Sequence, residues 1–176
     1  SVRLYKTIEF RLRTPATKAD PFDPEQIQVD VEVRAPSGAI LKVPAFYGQE
    51  YERIRAGEKG RDRDWCYPIG RGCWRARFAP LVAGKHQATA RWRDAEGEIV
   101  SQPVRFSCDP SDLPGFLRAS PSDGRFLEFS NGKPFFGIGQ NLAFIGNQQY
   151  VTPTRAETIF ARLAANGANY LRVWTG

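Results

Sequence analysis

Three patterns in the sequence predict a mainly β fold, namely an immunoglobulin-like antiparallel β-sandwich followed by a partial (β/α) TIM-barrel segment. Apolar and polar residues alternate through roughly the first 107 residues, as in strands that bury one face. Turns rich in proline and glycine divide this stretch into about seven strands, a number typical of such sandwiches. After a short linker the pattern changes to strand, helix, strand, which favours parallel pairing. We therefore predict a sandwich over 1–108, a linker over 109–115 and the start of a barrel over 116–176.

The clearest alternation identifies the core of the predicted sandwich. Isoleucine and valine alternate with glutamine, aspartate and glutamate over 27–33, and similar patterns recur further along the chain. We expect Trp74 and Trp92 to lie in the core because of their place in this alternation. His86 shares the face of Trp92, and the sequence has no Gly-x-Ser-x-Gly motif for an activated serine. His86, the only histidine, is therefore predicted to be structural.

A segment rich in charge and glycine, 48–72, interrupts this rhythm. It is either a functional loop or a solvated flap, and the sequence leaves both interpretations open. Three aromatic residues, Tyr47, Tyr51 and Trp65, are expected to be exposed and offer a platform for a sugar ring. The alternative for these aromatics is ordinary packing.

Turn signals beyond the linker predict a hairpin and a strand. The dipeptide Asn131-Gly132 is typical of a type I′ hairpin turn. Residues 135–139 form a short apolar pattern that predicts a strand, with Gln140 and Asn141 just after its carboxyl end.

A helix and a second strand follow. The helix is predicted to begin at Thr152-Pro153 or at the capping-box pattern Thr154-x-x-Glu157, and to end at Asn166-Gly167. Residues at helical spacing give it one apolar face; they are Ala156, Ile159, Phe160, Leu163 and Ala164. The strand predicted over 170–174 should run parallel to the strand before the helix, which makes a βαβ unit.

Composition argues against two classes of partner. The net charge is +6, with 25 Lys and Arg against 19 Asp and Glu, but the arginines are scattered and no run of five like charges occurs. We therefore predict no nucleic-acid binding. No apolar run approaches the ~20 residues that span a bilayer, so we predict no membrane insertion.

The three cysteines lack the spacing of a metal site. Structural zinc sites use pairs about two to four residues apart, whereas six residues separate Cys66 from Cys73. We predict no metal and no cofactor. Either Cys66 and Cys73 form a disulfide or they and Cys108 are thiols, and the sequence leaves both open. The chain starts at Ser1 and has no methionine, which suggests processing. A periplasmic or extracellular location is favoured, with the cytoplasm as the alternative.

Six segments carry a resemblance to known proteins. Four of them resemble the uncharacterised amino-terminal β-sandwich module that precedes many bacterial glycoside hydrolase barrels; they are Asp20-Pro-Phe-Asp-Pro24, Arg34-Ala-Pro-Ser-Gly38, Val43-Pro-Ala-Phe-Tyr47 and Gly72-Cys-Trp-Arg-Ala-Arg-Phe-Ala-Pro80. Two later segments, Phe136-Gly-Ile-Gly-Gln-Asn141 and Asn169-Tyr-Leu-Arg-Val-Trp174, resemble the first repeat and second strand of a clan A glycoside hydrolase barrel. Together the resemblances cover most of the chain.

The resemblance implies a retaining mechanism, in which two carboxylates about 5 Å apart serve as acid/base and nucleophile. In such barrels these carboxylates lie at the carboxyl ends of the fourth and seventh strands, whereas this chain reaches only the second. The resemblance therefore implies no catalytic residue among these 176 residues. We expect the chain to be inactive alone.

Three residues are candidates for substrate binding or support of the active site. By its motif Arg172 corresponds to a second-strand arginine that keeps the nucleophile ionised; the alternative is a strand-end arginine paired with any acid. Asn141 would lie where barrel enzymes place substrate-binding side chains, or would bond its own backbone in a loop. Trp174, with Phe144, would stack on a sugar ring or pack in the core.

We therefore predict the amino-terminal part of a glycoside hydrolase that cleaves oligo- or polysaccharides, with the sandwich supporting the barrel or shaping its cleft. The alternative is a free-standing carbohydrate- or protein-binding β-sandwich. The expected partner is a carbohydrate bound through the rest of the barrel. Exposed barrel edges also predict self-association.

Overall fold

The computed structural model describes residues 1–14, 19–56, 63–142 and 152–173. These residues are mainly β with a single helix among them, which confirms the predicted mainly β class. The chain forms two compact units, the first made of Ser1–Glu50 with Gly70–Lys133 and the second of Tyr51–Ile69 with Pro134–Gly176. The domain boundaries predicted from the sequence stay a prediction.

The strands and the helix follow one another along the described parts of the chain. They are β1 Val2–Arg3, β2 Ile8–Leu12, β3 Gln28–Arg34, β4 Ile40–Pro44, β5 Phe46–Ala56, β6 Arg63–Phe78, β7 Gly84–Asp94, β8 Gly97–Val100, β9 Val104–Asp109, β10 Leu117–Ala119, β11 Leu127–Phe129, β12 Pro134–Phe135, β13 Gly139–Leu142, α1 Pro153–Ala165 and β14 Tyr170–Val173.

The first unit contains a sheet of six strands. Its order is β1-β9-β7-β3-β4, and β8 adds to β7. Its pairings are antiparallel except for β1 with β9, which run parallel. In β3 the valines are buried and the polar residues between them are not, as expected when one face of a strand lies on the core. The register places Val31 opposite Ala90 and Val33 opposite Ala88.

A second sheet supplies the other side of the core, so the arrangement is sandwich-like. Its order is β2-β6-β5, and residues 8–12 pair antiparallel with 74–78. One buried cluster draws on both sheets; its members are Ile27, Val29, Val31, Val33, Trp74, Ala76, Phe78, Ala88, Ala90 and Trp92. The predicted core positions of Trp74 and Trp92 are confirmed, since these residues are 6% and 8% exposed.

His86 is buried at the end of this core. It is 3% exposed, and its ring stacks on Phe106 with the centroids 5.2 Å apart. Its Nδ1 atom lies 3.1 Å from the carbonyl oxygen of Gly84. An imidazole held in this way is a structural group, as predicted.

The described parts of the charged segment 48–72 are strand and not loop, because 48–56 belong to β5 and 63–72 to β6. Aromatic and β-branched residues among the charges suit a strand. Tyr51 and Trp65 are 58% and 51% exposed, as expected. Tyr47 is a correction: it is half-buried and packs edge-on against Trp74, with the ring centroids 5.7 Å apart.

All three cysteines are free thiols. Cys66 and Cys73 lie on the same strand, β6. Seven residues of extended chain span about 23 Å, far beyond the Cα separation of about 4.4–6.8 Å that a disulfide needs. The open question from the sequence is therefore answered in favour of thiols.

The hairpin predicted at Asn131-Gly132 is present, but its turn differs from the predicted type I′. Gly132 has a φ of +82°, whereas Asn131 is not among the residues with positive φ. The N–H of Gly132 donates to the carbonyl of Phe129, and the N–H of Phe129 donates to Lys133. These bonds close a three-residue loop with glycine in the left-handed region, so only one central residue needs positive φ.

The helix α1 of the second unit has both of its predicted ends. Thr152 is the N-cap, and its hydroxyl oxygen accepts the N–H of Arg155 at 3.2 Å. At the other end Gly167 has a φ of +80°, and the N–H groups of Gly167 and Ala168 donate to the carbonyls of Ala164 and Leu163. This is the Schellman arrangement, which the Asn-Gly signal favours.

Candidate functional site

The two parallel strands of the second unit bring two of the predicted site residues together. Strands β13 and β14 pair in parallel, and α1 connects them along the chain. Their register places Asn141 opposite Arg172. Paired residues on neighbouring strands project to the same face, so the carboxamide and the guanidinium belong to one surface.

The position of Asn141 differs from the prediction in one respect. The strand predicted over 135–139 begins only at Gly139, so Asn141 lies within β13 and not after it. Asn141 and Arg172 are each the third of the four residues that the structure describes in their strands. Both residues are exposed. Trp174 and Phe144, the proposed stacking residues, lie outside the described residues.

Gly139 allows the strands to approach closely at the start of the pair. A Cβ atom at this position would overlap the backbone carbonyl of Tyr170, its partner in the register. Only glycine fits such an approach without moving a strand. The sequence pattern alone assigned Gly139 no structural role.

Asn169 joins β14 to the segment before β13, and sequence reasoning missed it. Its carboxamide oxygen accepts the N–H of Ile138 at 2.8 Å, and its amide nitrogen donates to the carbonyl of Phe136 at 3.0 Å. Its backbone N–H also donates to the carbonyl of Ile138 at 2.8 Å. An asparagine directly before a strand is the only sequence signal, since side-chain amides commonly satisfy irregular backbone. Asn169 thereby sets the position from which β13 begins.

The amino-terminal end of α1 is bound by a carboxylate from β6, which the sequence also did not predict. One carboxylate oxygen of Asp64 accepts the backbone N–H of Thr154 at 2.7 Å. The other oxygen accepts the Thr154 hydroxyl at 2.8 Å. Thr152 and Thr154 are both buried. An anion is favoured at this end of a helix, because the first N–H groups lack partners within the helix. These hydrogen bonds hold the pKa of Asp64 below its usual value.

An ion pair adds a second contact one turn further along α1. The Arg53 guanidinium of β5 lies 2.8 Å from the Glu157 carboxylate. The hydrogen bond from the Arg53 guanidinium lowers the pKa of Glu157, and the Glu157 carboxylate raises the pKa of Arg53. Glu157 is thus not part of the predicted capping box, because its side chain turns to β5. A general acid needs a raised pKa, so neither Asp64 nor Glu157 suits that role.

The Asn141–Arg172 pair offers donors and one acceptor, and it offers no nucleophile. A guanidinium and a carboxamide side by side can bind hydroxyl groups or orient a carboxylate. Within the described ranges no group of three or more His, Cys, Asp and Glu side chains could hold a metal ion. In the same ranges, no helix has the length and apolar character needed to cross a membrane.

Comparisons with known proteins give one structural likeness. A crystal structure described as a "putative glycoside hydrolase" from Bacteroides vulgatus ATCC 8482 matches with a TM-score of 0.66 over 98% of this chain. The sequences are 18% identical, so the match shows a shared fold. This chain spans only 28% of that protein. A search of curated proteins gives no match.

A family model also matches the sequence. It is described as a domain of unknown function, DUF5060, and it covers residues 1–93, which is more than half of the 176 residues. The matched range includes β1 to β6 and most of β7. The chain therefore belongs to the DUF5060 family.

Proposed function

We propose that this chain forms the amino-terminal part of a glycoside hydrolase that cleaves oligo- or polysaccharides by a two-carboxylate retaining mechanism. The observation that carries the proposal is the pairing of Asn141 with Arg172 on parallel strands joined by a helix. The likeness to the Bacteroides vulgatus protein supports it, since this chain spans 28% of that longer protein.

In the proposal, β13, α1 and β14 are the first repeat and second strand of a (β/α) TIM barrel, and the first unit is an immunoglobulin-like sandwich. Barrel enzymes build their active sites at the carboxyl ends of their strands. In this arrangement Asn141 and Arg172, each the third residue described in its strand, belong to that end of the barrel. A parallel pair with a connecting helix also occurs in open sheets, which bind their ligands at the same strand ends. What favours a barrel is the resemblance of these two strands to a clan A glycoside hydrolase barrel.

Each side chain then has a defined task. Arg172 holds the catalytic nucleophile in its ionised form, because a nearby guanidinium stabilises a carboxylate. Asn141 hydrogen-bonds a sugar hydroxyl, and Trp174 stacks on the sugar ring. The acid/base and the nucleophile come from later strands, so the 176 residues alone should hydrolyse no glycoside.

The exposed apolar residues of the second unit agree with this proposal. Phe136, Ile138 and Tyr170 are 81%, 53% and 51% exposed. In a complete barrel, neighbouring strands and helices would cover such residues. We therefore expect the isolated chain to self-associate. Sedimentation velocity would test this, and a monomer at all concentrations would count against the barrel.

The experiment uses the encoded protein at its full length, assayed for reducing-sugar release from a panel of polysaccharides. Arg172→Gln should lower kcat by about 10²–10³-fold. It should also move the acidic limb of the pH profile to higher pH, because the nucleophile pKa rises without the cation. Arg162→Gln, on the last turn of α1, is the matched control and should leave kcat and the pH profile unchanged. Turnover by the 176 residues alone would overturn the proposal.

A second candidate is a carbohydrate-binding module whose exposed aromatics carry the sugar. Tyr51, Trp65 and Tyr67 are 58%, 51% and 51% exposed on β5 and β6. Aromatic faces of this kind can stack on sugar rings. Calorimetry of the isolated chain with oligosaccharides separates the candidates: binding that Trp65→Ala abolishes, without activity in the full-length protein, favours the module.

The proposal includes a periplasmic or extracellular location, because large polysaccharides are met outside the cytoplasm. It includes no role for nucleic acid, membrane, metal or cofactor. Fractionation of the producing cells tests the location, and recovery of all the protein with cytoplasmic markers would count against it.

A further inference from the structure

A row of polar side chains crosses the outer face of the six-stranded sheet. The register pairs Arg34 of β3 with Gln87 of β7, and Gln87 with Arg105 of β9. Lys85 and Ser107 form the pair two positions along the same ladder, so they share this face, because side chains alternate along a strand. These residues line a concave surface that encloses a volume of about 650 Å³. Because β7 lies between β3 and β9, the backbones at Arg34 and Arg105 are two strand spacings, or about 10 Å, apart.

The charges of this row lack the compensation found elsewhere on the same face. At the other end of the sheet, Lys42 lies 2.8 Å from Asp30, and Arg91 lies 3.0 Å from Glu32 and 3.7 Å from Glu98. The row has three cations, Arg34, Lys85 and Arg105. Among the described residues, by contrast, no carboxylate forms an ion pair with any of them. No described carboxylate lines the concave surface either.

The edge of this surface is held in place by a turn. Ala35 and Ala39 are joined by a backbone hydrogen bond of 2.8 Å, and the Arg34 guanidinium donates to the Gly38 carbonyl at 3.3 Å. A Cβ atom on Gly84 would come within 2.8 Å of the Pro36 ring, so the start of β7 packs closely on the turn. Such packing lowers the ordering cost of binding.

We propose that this row, named here the Arg34–Arg105 row, binds an anionic polysaccharide through carboxylate or sulfate groups. Two arginines about 10 Å apart can hold two charged groups of one extended chain, and Gln87 lies between them to bond a hydroxyl. The choice of a glycan over other polyanions rests on the function proposed above. It makes the substrate of that enzyme acidic.

The geometry favours a polysaccharide over a nucleic acid. Three cations neutralise at most about three phosphates, whereas proteins that bind duplex DNA tightly make about 6–10 such contacts. Single-stranded nucleic acids need aromatic side chains on which bases stack. The two aromatic rings that line this surface, Phe106 and His86, are stacked on each other; Phe106 is half-buried and His86 is buried.

The test measures binding of the full chain to four probes at low and high salt. They are polygalacturonate for carboxylates, a carrageenan for sulfates, an unsubstituted neutral galactan and a DNA duplex. The test variant is Arg34→Gln/Arg105→Gln. The control is Lys42→Gln/Arg93→Gln, which changes the net charge equally at the compensated end of the same face.

We expect the wild type to bind polygalacturonate or carrageenan, more weakly at high salt. The test variant should lose about tenfold or more in affinity, and the control should stay within about twofold. The probe that binds identifies carboxylate or sulfate as the ligand group. Circular dichroism should confirm that both variants are folded.

Three results would overturn the inference: equal losses in both double variants, equal binding of the neutral galactan, or tighter binding of the duplex. Activity of the full-length protein on neutral glycans, together with any of these results, would leave the glycoside hydrolase proposal standing. If the full-length protein also hydrolyses no glycan, both proposals fail.

Discussion

The close approach of β13 and β14 allows a sharp test of the candidate site. A Cβ atom on Gly139 would overlap the carbonyl group of Tyr170 and lie 3.1 Å from the Tyr170 Cβ. A Cβ atom on Gly137 would meet only ordinary contacts, at 3.5 Å from the Phe135 ring and 3.8 Å from Tyr170. Neither glycine has a positive φ. Gly139→Ala and Gly137→Ala are therefore a matched pair that differs only in available space.

The structure gives the expected magnitude. The obstructing atoms at Gly139 are backbone, so the strands must move apart to accept alanine, and overpacking of this kind costs about 1–3 kcal/mol. At Gly137, alanine restricts the unfolded chain and should stabilise by about 0.4–1 kcal/mol. The two variants should thus differ by about 1.5–4 kcal/mol in the free energy of opening this pair.

Hydrogen exchange of the amides in β13 and β14, followed by mass spectrometry, measures that free energy. Gly139→Ala should lose protection in both strands, and Gly137→Ala should keep or gain it. Urea unfolding of the same samples shows whether the effect stays local. Equal protection in the two variants would refute the reasoning, and with it the register that places Asn141 beside Arg172.

Three further changes have expected outcomes. Val33→Ala removes two methyl groups from a side chain that is 1% exposed and should cost about 2–3 kcal/mol in urea unfolding; Val104→Ala, at a site that is 60% exposed, should cost about 0.5 kcal/mol or less. The Asp64 pKa is lowered by its hydrogen bonds to α1, so this contact contributes fully above the usual carboxyl pKa and is lost as the pH falls through the lowered one. Protection of α1 amides against exchange should decline in that acid range, and Asp64→Asn should reduce this pH dependence to the part contributed by Glu157, whose pKa is lowered by Arg53. A thiol reagent should modify exposed Cys66 first and Cys108 last, because burial raises the pKa of the Cys108 thiol.

Each of these outcomes has a clear opposite. Equal losses in the two valine variants would contradict the assignment of one buried and one exposed face to the sheet. An unchanged acid profile in Asp64→Asn would show that another group titrates at the end of α1. If Cys66→Ser left the fast phase of thiol modification intact, the order of exposure would be wrong.

The sequence predicted best where one physical preference acts alone. The alternation over 27–33 identified the core because a strand on a sheet buries every second residue. The caps of α1 were also predicted, since Thr152 and Gly167 satisfy backbone groups only a few residues away. In both cases the interactions are local in the chain.

Prediction failed where distant residues decide the structure. Asp64 binds Thr154, 90 positions away, and no local pattern marks either as a partner. The start of β13 depends on Asn169, which hydrogen-bonds the backbone of 136–138 from the far side of the helix. The turn at Asn131-Gly132 has a different type because its hydrogen bonds close a loop of three residues, and loop length selects the turn type.

The discontinuous second unit has a consequence for how the chain folds. Its two segments, Tyr51–Ile69 and Pro134–Gly176, are separated by a stretch that belongs to the first unit. The contacts that join α1 to β5 and β6 span 104 and 90 residues, and closing such long loops is slow. During synthesis from the amino terminus, β5 and β6 emerge long before α1. On the ribosome, Arg53 and Asp64 would therefore stay without their partners until the helix has been synthesised.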